Sequence, residues 1–189
     1  MDALAGVFSA FGLSASAGLN AYVPLLVVAL TARFTDWIVL SSPWDTLESW
    51  WVIGAILVLG LIEFFADKVP AVNHVNDLVQ TFVRPVAGAV LFASSAHVVT
   101  ELHPVLAMIS GLVIAGGVHA AKAGAIRPAV TAATGGAGNV PVSMAEDILA
   151  TALSILSVVI PVIIAALIIV VTAFIVWWLW RRANMEDYA

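Results

Sequence analysis

Glu63, Asp67, Lys68, Asn73, Asp77 and Arg84 fall in one short stretch of a chain that is otherwise mostly oil. The carboxylates of Glu63, Asp67 and Asp77 could hold a cation or a proton. Arg84 and Lys68 could hold an anionic group, and Asn73, with Asn76 beside it, could supply neutral hydrogen bonds. Glu63 and Asp67 are spaced to share one helix face. An acid placed near hydrocarbon costs about 2.5–3.5 kcal/mol on insertion scales, so it needs a partner or water. Both signs of charge are present, so pairing is available. The plainer reading is a solvated loop at the end of a membrane span.

A second constellation joins Lys122, Arg127, Thr131, Thr134, Gly135, Gly136, Asn139, Glu146 and Asp147. Successive glycine N–H groups can form an anion-binding nest. Ser143-Met-Ala-Glu146 reads as a capping box that starts a helix, whose positive end would attract an anion. Glu146 and Asp147 already complement that dipole, and a flexible loop followed by an ordinary capped helix is the alternative. His97, Glu101 and His103 form a weaker cluster that could bind a metal or relay protons. Their spacing matches no zinc pattern, and a solvated turn is the plainer reading. Phosphate loops, nucleophile elbows and dinucleotide fingerprints are absent, so neither a cofactor nor catalysis is expected.

These residues must be positioned by membrane helices. The 189 residues are 62% hydrophobic and only 10% charged, with a mean hydropathy of +1.09. A soluble domain is about 45–50% apolar and about 25% charged. A chain this short cannot hide the excess in one core, so lipid must cover it. The sequence therefore predicts an all-α, polytopic transmembrane bundle over residues 1–189, a single membrane domain. The net charge of −5 is small and spread out, which gives no nucleic-acid footprint. The absence of cysteine excludes disulfides and thiolate metal sites.

The spans can be read in order. Leu4–Thr31 exceeds the roughly 20 residues a span needs, and Ser16, Gly18, Asn20 and Pro24 in its middle predict a broken or closely packed helix. Its start resembles a signal peptide, but no Lys or Arg precedes the apolar core, so a retained helix is expected. Arg33–Ser49 is an acidic, tryptophan-bearing loop at the headgroup layer, and Trp50–Ala66 is the second span. Asp67–Arg84 reads as an amphipathic interfacial helix with a polar stripe, lying along the membrane surface or lining a cavity. Val83–Val99 is the third span and Pro104–Ala121 the fourth. Ala123–Ser143 is polar and carries Gly135, Gly136 and Gly138, so it reads as a broken or re-entrant stretch. A long helix then runs from Ser143 to about Trp180, with Pro161 able to kink it. The total is five to six spans. With Lys68, Arg84, Lys122 and Arg127 inside, the positive-inside rule puts the N-terminus in the cytoplasm and the acidic loops outside.

Short internal similarities, such as Phe82-Val-Arg-Pro-Val-Ala-Gly-Ala with Ala125-Ile-Arg-Pro-Ala-Val-Thr-Ala, suggest a weak repeat of halves near 1–100 and 101–189. Repeats with paired broken helices are a feature of transporters. Ala15-Ser-Ala-Gly-Leu-Asn-Ala-Tyr-Val-Pro-Leu, Asp67-Lys-Val-Pro and Arg84-Pro-Val-Ala-Gly-Ala together resemble a bacterial membrane-protein family described only as domain of unknown function 4126. That resemblance implies a compact multi-pass protein of the inner membrane and brings no activity with it. Glu63-Phe-Phe-Ala-Asp67-Lys68 is also similar to the Glu-x-Gly-Asp-Lys motif of cation/proton exchangers. The acid spacing differs and Ala66 replaces the glycine, so no residue role follows.

The expectation is a small secondary transporter or channel for an ion or small charged solute. The two polar stretches would meet at a shared site between broken helices. A lipid-handling protein, either a scramblase or a lipid-phosphate enzyme, is the alternative, and a structural membrane subunit is a third reading. The implied partners are the bilayer, a small ion or solute and, as an option, a second copy in a homo-oligomer.

Overall fold

The computed structural model describes residues 3–95 and 102–186. Eight α-helices account for most of them, and no strand occurs among the described residues. They are α1 (Ala3–Leu19), α2 (Tyr22–Phe34), α3 (Trp50–Ala66), α4 (Pro70–Ser95), α5 (Pro104–Ala121), α6 (Arg127–Thr134), α7 (Asn139–Val159) and α8 (Pro161–Glu186). A 3-10 turn, Trp44–Glu48, precedes α3, and a π turn, Lys122–Ile126, joins α5 to α6.

α1 is the central post. Its Ala, Gly and Ser side chains are small enough for neighbours to close on every side, and Leu13, Ser14, Ser16 and Ala17 are fully buried. Serines tie it to α7: Ser16 bonds Ser154 and the Ala150 carbonyl, and Ser9 donates to the Ser157 carbonyl. α4 and α5 pack backbone to backbone. A Cβ added at Gly111 would overlap the Gly88 carbonyl, so this crossing requires glycine.

The first hydrophobic stretch is not one span. The chain reverses at Asn20 and Ala21, and α1 and α2 form a hairpin. Successive positions on α1 meet α7 in descending order, Ser9 at Ser157 and Ser16 at Ser154. α2 climbs alongside α7, from Asn20 at Asp147 to Leu26 near Ile155. α3 then descends against α2, with Trp50 on Phe34 and Gly60 on Tyr22. The hairpin puts the start of α1 and the acidic 35–49 loop at the same end of the bundle. Trp44 of that loop packs on Ala10, Phe92 and Ala107. From the sequence, the N-terminus and this loop are instead expected at opposite ends.

Three further boundaries differ from the sequence reading. The polar stripe and the third span are one continuous helix, α4, with Pro85 inside it. The glycine-rich 123–143 stretch is mostly helix, broken where expected by a turn at Gly135, Gly136 and Gly138. Its first part prolongs α5 through the π turn into α6, making a rod over Pro104–Thr134. Finally, the long terminal helix is cut at Ile160, and Pro161 opens α8, where a proline's missing N–H costs nothing.

Among the described residues, three helical segments are by length and composition apolar enough to cross a bilayer: Val75–Ser95, Pro104–Thr134 and Asn139–Val159. Four shorter apolar helices accompany them: Gly6–Leu19, Tyr22–Phe34, Trp50–Ala66 and Ile169–Trp178.

Candidate functional site

The end of α3, the first half of α4, the end of α5, the start of α6 and the first turns of α7 bring ionisable residues to one level of the bundle, at the α1–α2 turn. On α4 the polar stripe faces inward: Gln80 and Arg84 are buried, while Val75, Val79 and Phe82 look outward. Lipid inverts the soluble pattern, since the oily face is the one that meets the solvent. On α5, Gly111, Ala115, His119 and Lys122 recur at helical spacing on the inner face and are all buried. Five residues of ideal α-helix would turn Arg127 about 140° from Lys122. The wider π turn between them brings both heads onto one carboxylate. Lys122 Nζ lies 2.8 Å and Arg127 Nη2 3.0 Å from Glu146 Oε2.

The two polar stretches are in contact. Arg127 Nη2 donates to Asp67 Oδ2 at 2.6 Å, and Arg127 Nη1 stands 3.7 Å from Asp77. Asp67 also accepts from Ser143 at 2.6 Å and from Asn76 at 3.3 Å. Burial pushes the Asp67 carboxyl up. The donors Arg127 and Ser143, with the charges of Arg127 and Lys122, outweigh burial and hold it at about 2. Beside this cluster, Arg84 Nη2 meets Glu63 Oε1 at 2.8 Å, with side chains 1% and 3% exposed. Arg84 Nη1 reaches His119 Nδ1 at 3.1 Å. Guanidinium only donates, so Nδ1 accepts. The imidazole hydrogen then sits on Nε2, 3.2 Å from the Thr81 hydroxyl.

A third branch runs to the bundle's edge. Lys68 Nζ lies 3.1 Å from Asp147 Oδ2, and Asn20 Nδ2 donates to Asp147 Oδ1 at 3.0 Å. The Asn20 Oδ1 accepts from the Tyr22 and Val23 N–H groups, which caps α2. Lys122 Nζ donates to the Leu19 carbonyl at the end of α1.

The remaining residues singled out in the sequence stand apart. Asn139 bonds Thr131 at an exposed position and does not reach the charges. Gly135 and Gly136 adopt positive φ and, with Gly138, make the turn into α7. No side chain is described for Asn73. Ser16 and Gly18 lie within α1, and Pro24 is buried in the first turn of α2. His97 and Glu101 lie outside the described residues. His103 caps α5 through Nδ1, and no cluster of metal-binding side chains occurs among the described residues. The capping box at Ser143 is corrected: α7 starts at Asn139, and Ser143 and Glu146 are spent on Asp67, Arg127 and Lys122.

His119, Gln80 and Ser143 were missed as members of the site. For His119 a signal existed, its three-residue spacing from Lys122 on one face. For Gln80 it was the spacing to Arg84. Ser143 matched a local motif and gave no long-range signal.

An all-helical fold with bilayer-length apolar helices and charges drawn inward is that of a helical membrane protein. Within that class, the chain belongs to the family described as Domain of unknown function (DUF4126), whose model matches residues 7–182. No curated protein and no solved structure matches it.

Proposed function

We propose that the protein is a small membrane carrier or channel for a cation, either a proton or an alkali-metal ion, and that Glu63, Gln80 and Glu146 handle the passing charge. One observation carries this reading. Glu63 Oε2, Gln80 Oε1 and Glu146 Oε1 are three buried acceptors with no hydrogen-bond donor, against one buried donor beside them, Arg84 Nε, with no acceptor. A buried acceptor left unmet costs about 1–3 kcal/mol, and more when charged. A cation or a proton relieves that cost, whereas an anion adds to it. The described acids of the network (Glu63, Asp67, Asp77, Glu146 and Asp147) also outnumber its bases (Lys68, Arg84, Lys122 and Arg127). Buried ion pairs contribute little to stability compared with packed oil, so a purely structural role leaves the uncovered acceptors without a purpose.

The orientation follows from the hairpin and the positive-inside rule. The end bearing Lys68, Arg84, Lys122 and Arg127 faces the cytoplasm. The acidic 35–49 loop and the start of α1 lie outside. Counting α5 with α6 as one, the chain makes seven passes, and α8 returns Arg181 and Arg182 to the inside of the inner membrane.

The test is ion flux into liposomes carrying the purified protein, read with pH-sensitive and alkali-ion-sensitive dyes. Glu63→Gln and Glu146→Gln, checked for folding by thermal unfolding in detergent, are expected to lose flux. Folded variants that conduct like the parent would sink the proposal.

A further inference from the structure

α2, α3 and α7 enclose a groove of about 600 Å³, inside the roughly 300–1,000 Å³ range of small-molecule sites. Val23, Leu26, Ile56, Gly60, Ile148 and Ile155 make its walls. Its polarity is one-ended. Asn20 and Asp147 stand at the end where the helices meet the charge network, and oil fills the rest. From Asp147 to Ile155 on α7, and from Phe64 to Ile56 on α3, the groove runs about 12 Å at 1.5 Å per residue. An amphipath fits that shape: a chain along the walls and a head at the polar end.

The head is specified by charge. Lys68 and Asp147 form an ion pair at this end, with side chains 17% and 19% exposed. The Glu63–Arg84 and Lys122–Glu146 pairs deeper in are at most 8% exposed. A group as large as a lipid head can therefore reach this pair and not those. Each Asp147 oxygen takes one hydrogen bond, from Asn20 and from Lys68, while a carboxylate accepts about four. Lys68 spends a second donor on the Phe64 carbonyl at 3.0 Å, a weaker acceptor than a phosphate. A head that pairs an ammonium with a phosphate satisfies both residues at once.

We propose that this groove holds one acyl chain of a phospholipid with a primary-amine headgroup, its ammonium on Asp147 and its phosphate on Lys68. A choline head has the charge but no N–H for Asp147. A glycerol head brings an anion against Asp147 with no cation to offset it. The selection is thus ethanolamine over choline and glycerol, and it does not depend on whether cations cross the protein.

The experiment uses the full chain in detergent micelles. It is incubated with phosphatidylethanolamine, phosphatidylcholine or phosphatidylglycerol of identical acyl chains, and retained lipid is counted by native mass spectrometry. Phosphatidylethanolamine is expected to be retained about tenfold better, the worth of one charge-assisted hydrogen bond. Its mono- and dimethylated forms should fall off stepwise. Asp147→Asn should erase the preference, and Ala152→Trp, at an exposed groove position, should block all three lipids. Equal retention of the three lipids by the unmodified protein overturns the proposal, as does a preference that survives Ala152→Trp. The methylation series needs no variant, so a failure of Asp147→Asn to fold leaves the test intact.

Discussion

Arg84→Met and Glu63→Gln, made singly and together, separate charges that hold the fold from charges that act. Arg84 and Glu63 are almost fully buried and 2.8 Å apart. Arg84→Met leaves the Glu63 charge in a dry interior and takes the donor from His119 Nδ1. Breaking a buried pair from one side costs about 3–5 kcal/mol. Glu63→Gln strands the guanidinium at a similar cost. The double variant removes both charges, so its main residual loss is the His119 acceptor, about 1–3 kcal/mol. Additive singles would total about 6–10 kcal/mol on the same figures, so the expected coupling is at least about 3 kcal/mol. At about 1.4 kcal/mol per decade this exceeds a hundredfold in the folding equilibrium. The assay is reversible denaturant unfolding in micelles, followed by liposome flux on the same preparations. Stability should return in the double variant while flux does not, because the Glu63 carboxylate that would take the cation or proton is absent from it. A double variant as unstable as the sum of its parts would refute the shared buried interaction. Flux restored along with stability would show that the pair only holds the fold.

Other consequences can be checked separately. Gly111→Ala forces a methyl into the Gly88 carbonyl and should lower stability by about 1–3 kcal/mol, the cost of overpacking. Gly117→Ala, with nothing within 4 Å of the added carbon, should instead leave stability unchanged or raise it by up to about 1 kcal/mol, the gain in helix propensity, both variants being followed by thermal unfolding in detergent. Asp67 is held at about 2 against an ordinary 3.8. Its contribution is complete above the unfolded value and is lost as pH falls through the folded one. From neutral pH down to about 4 it should therefore add no pH dependence, and Asp67→Asn should flatten the unfolding profile only below that. The chain has no native cysteine, so single cysteines report sidedness cleanly. Thr46→Cys should react with an impermeant maleimide in intact cells. Ala137→Cys and Ala183→Cys should react only after permeabilisation, and labelling of Ala183→Cys from outside would refute the seven-pass orientation.

Helical, lipid-covered architecture was legible because composition alone demands it. Meeting of the two polar stretches was legible from cost, since scarce charges in oil must find one another. What failed was reading one local pattern at a time. Asp67–Arg84 looks like a surface helix by soluble rules, yet its polar face is the buried one. Gly124 and Pro128 made the 123–143 stretch look like a loop. There, Arg127, anchored by Asp67 and Glu146, and Lys122, anchored by Glu146, sit on one continuous rod, so tertiary pairing overrode propensity. Ser143 and Glu146 satisfy a capping rule in spacing only, because long-range partners take both side chains first. The reversal at Asn20 could be suspected from Asn and Pro. Its direction could not, because a break and a hairpin have the same residues.

The break and the charge network explain each other. A helix that ends inside a bundle leaves carbonyls without donors at its C-terminus, and its successor leaves N–H groups without acceptors. Lys122 supplies the donor at Leu19, and Asn20 supplies the acceptor for Tyr22 and Val23. Each of these side chains also holds an acid of α7, Glu146 and Asp147 respectively. The hairpin is thus fastened by the same groups that balance the buried carboxylates. Any rearrangement of charge at Glu146 must loosen a helix end, and any movement of the α1–α2 turn must unpair an acid. Such two-way linkage is what a fold needs if ion occupancy is to move helices, and a hairpin capped only by backbone groups would lack it.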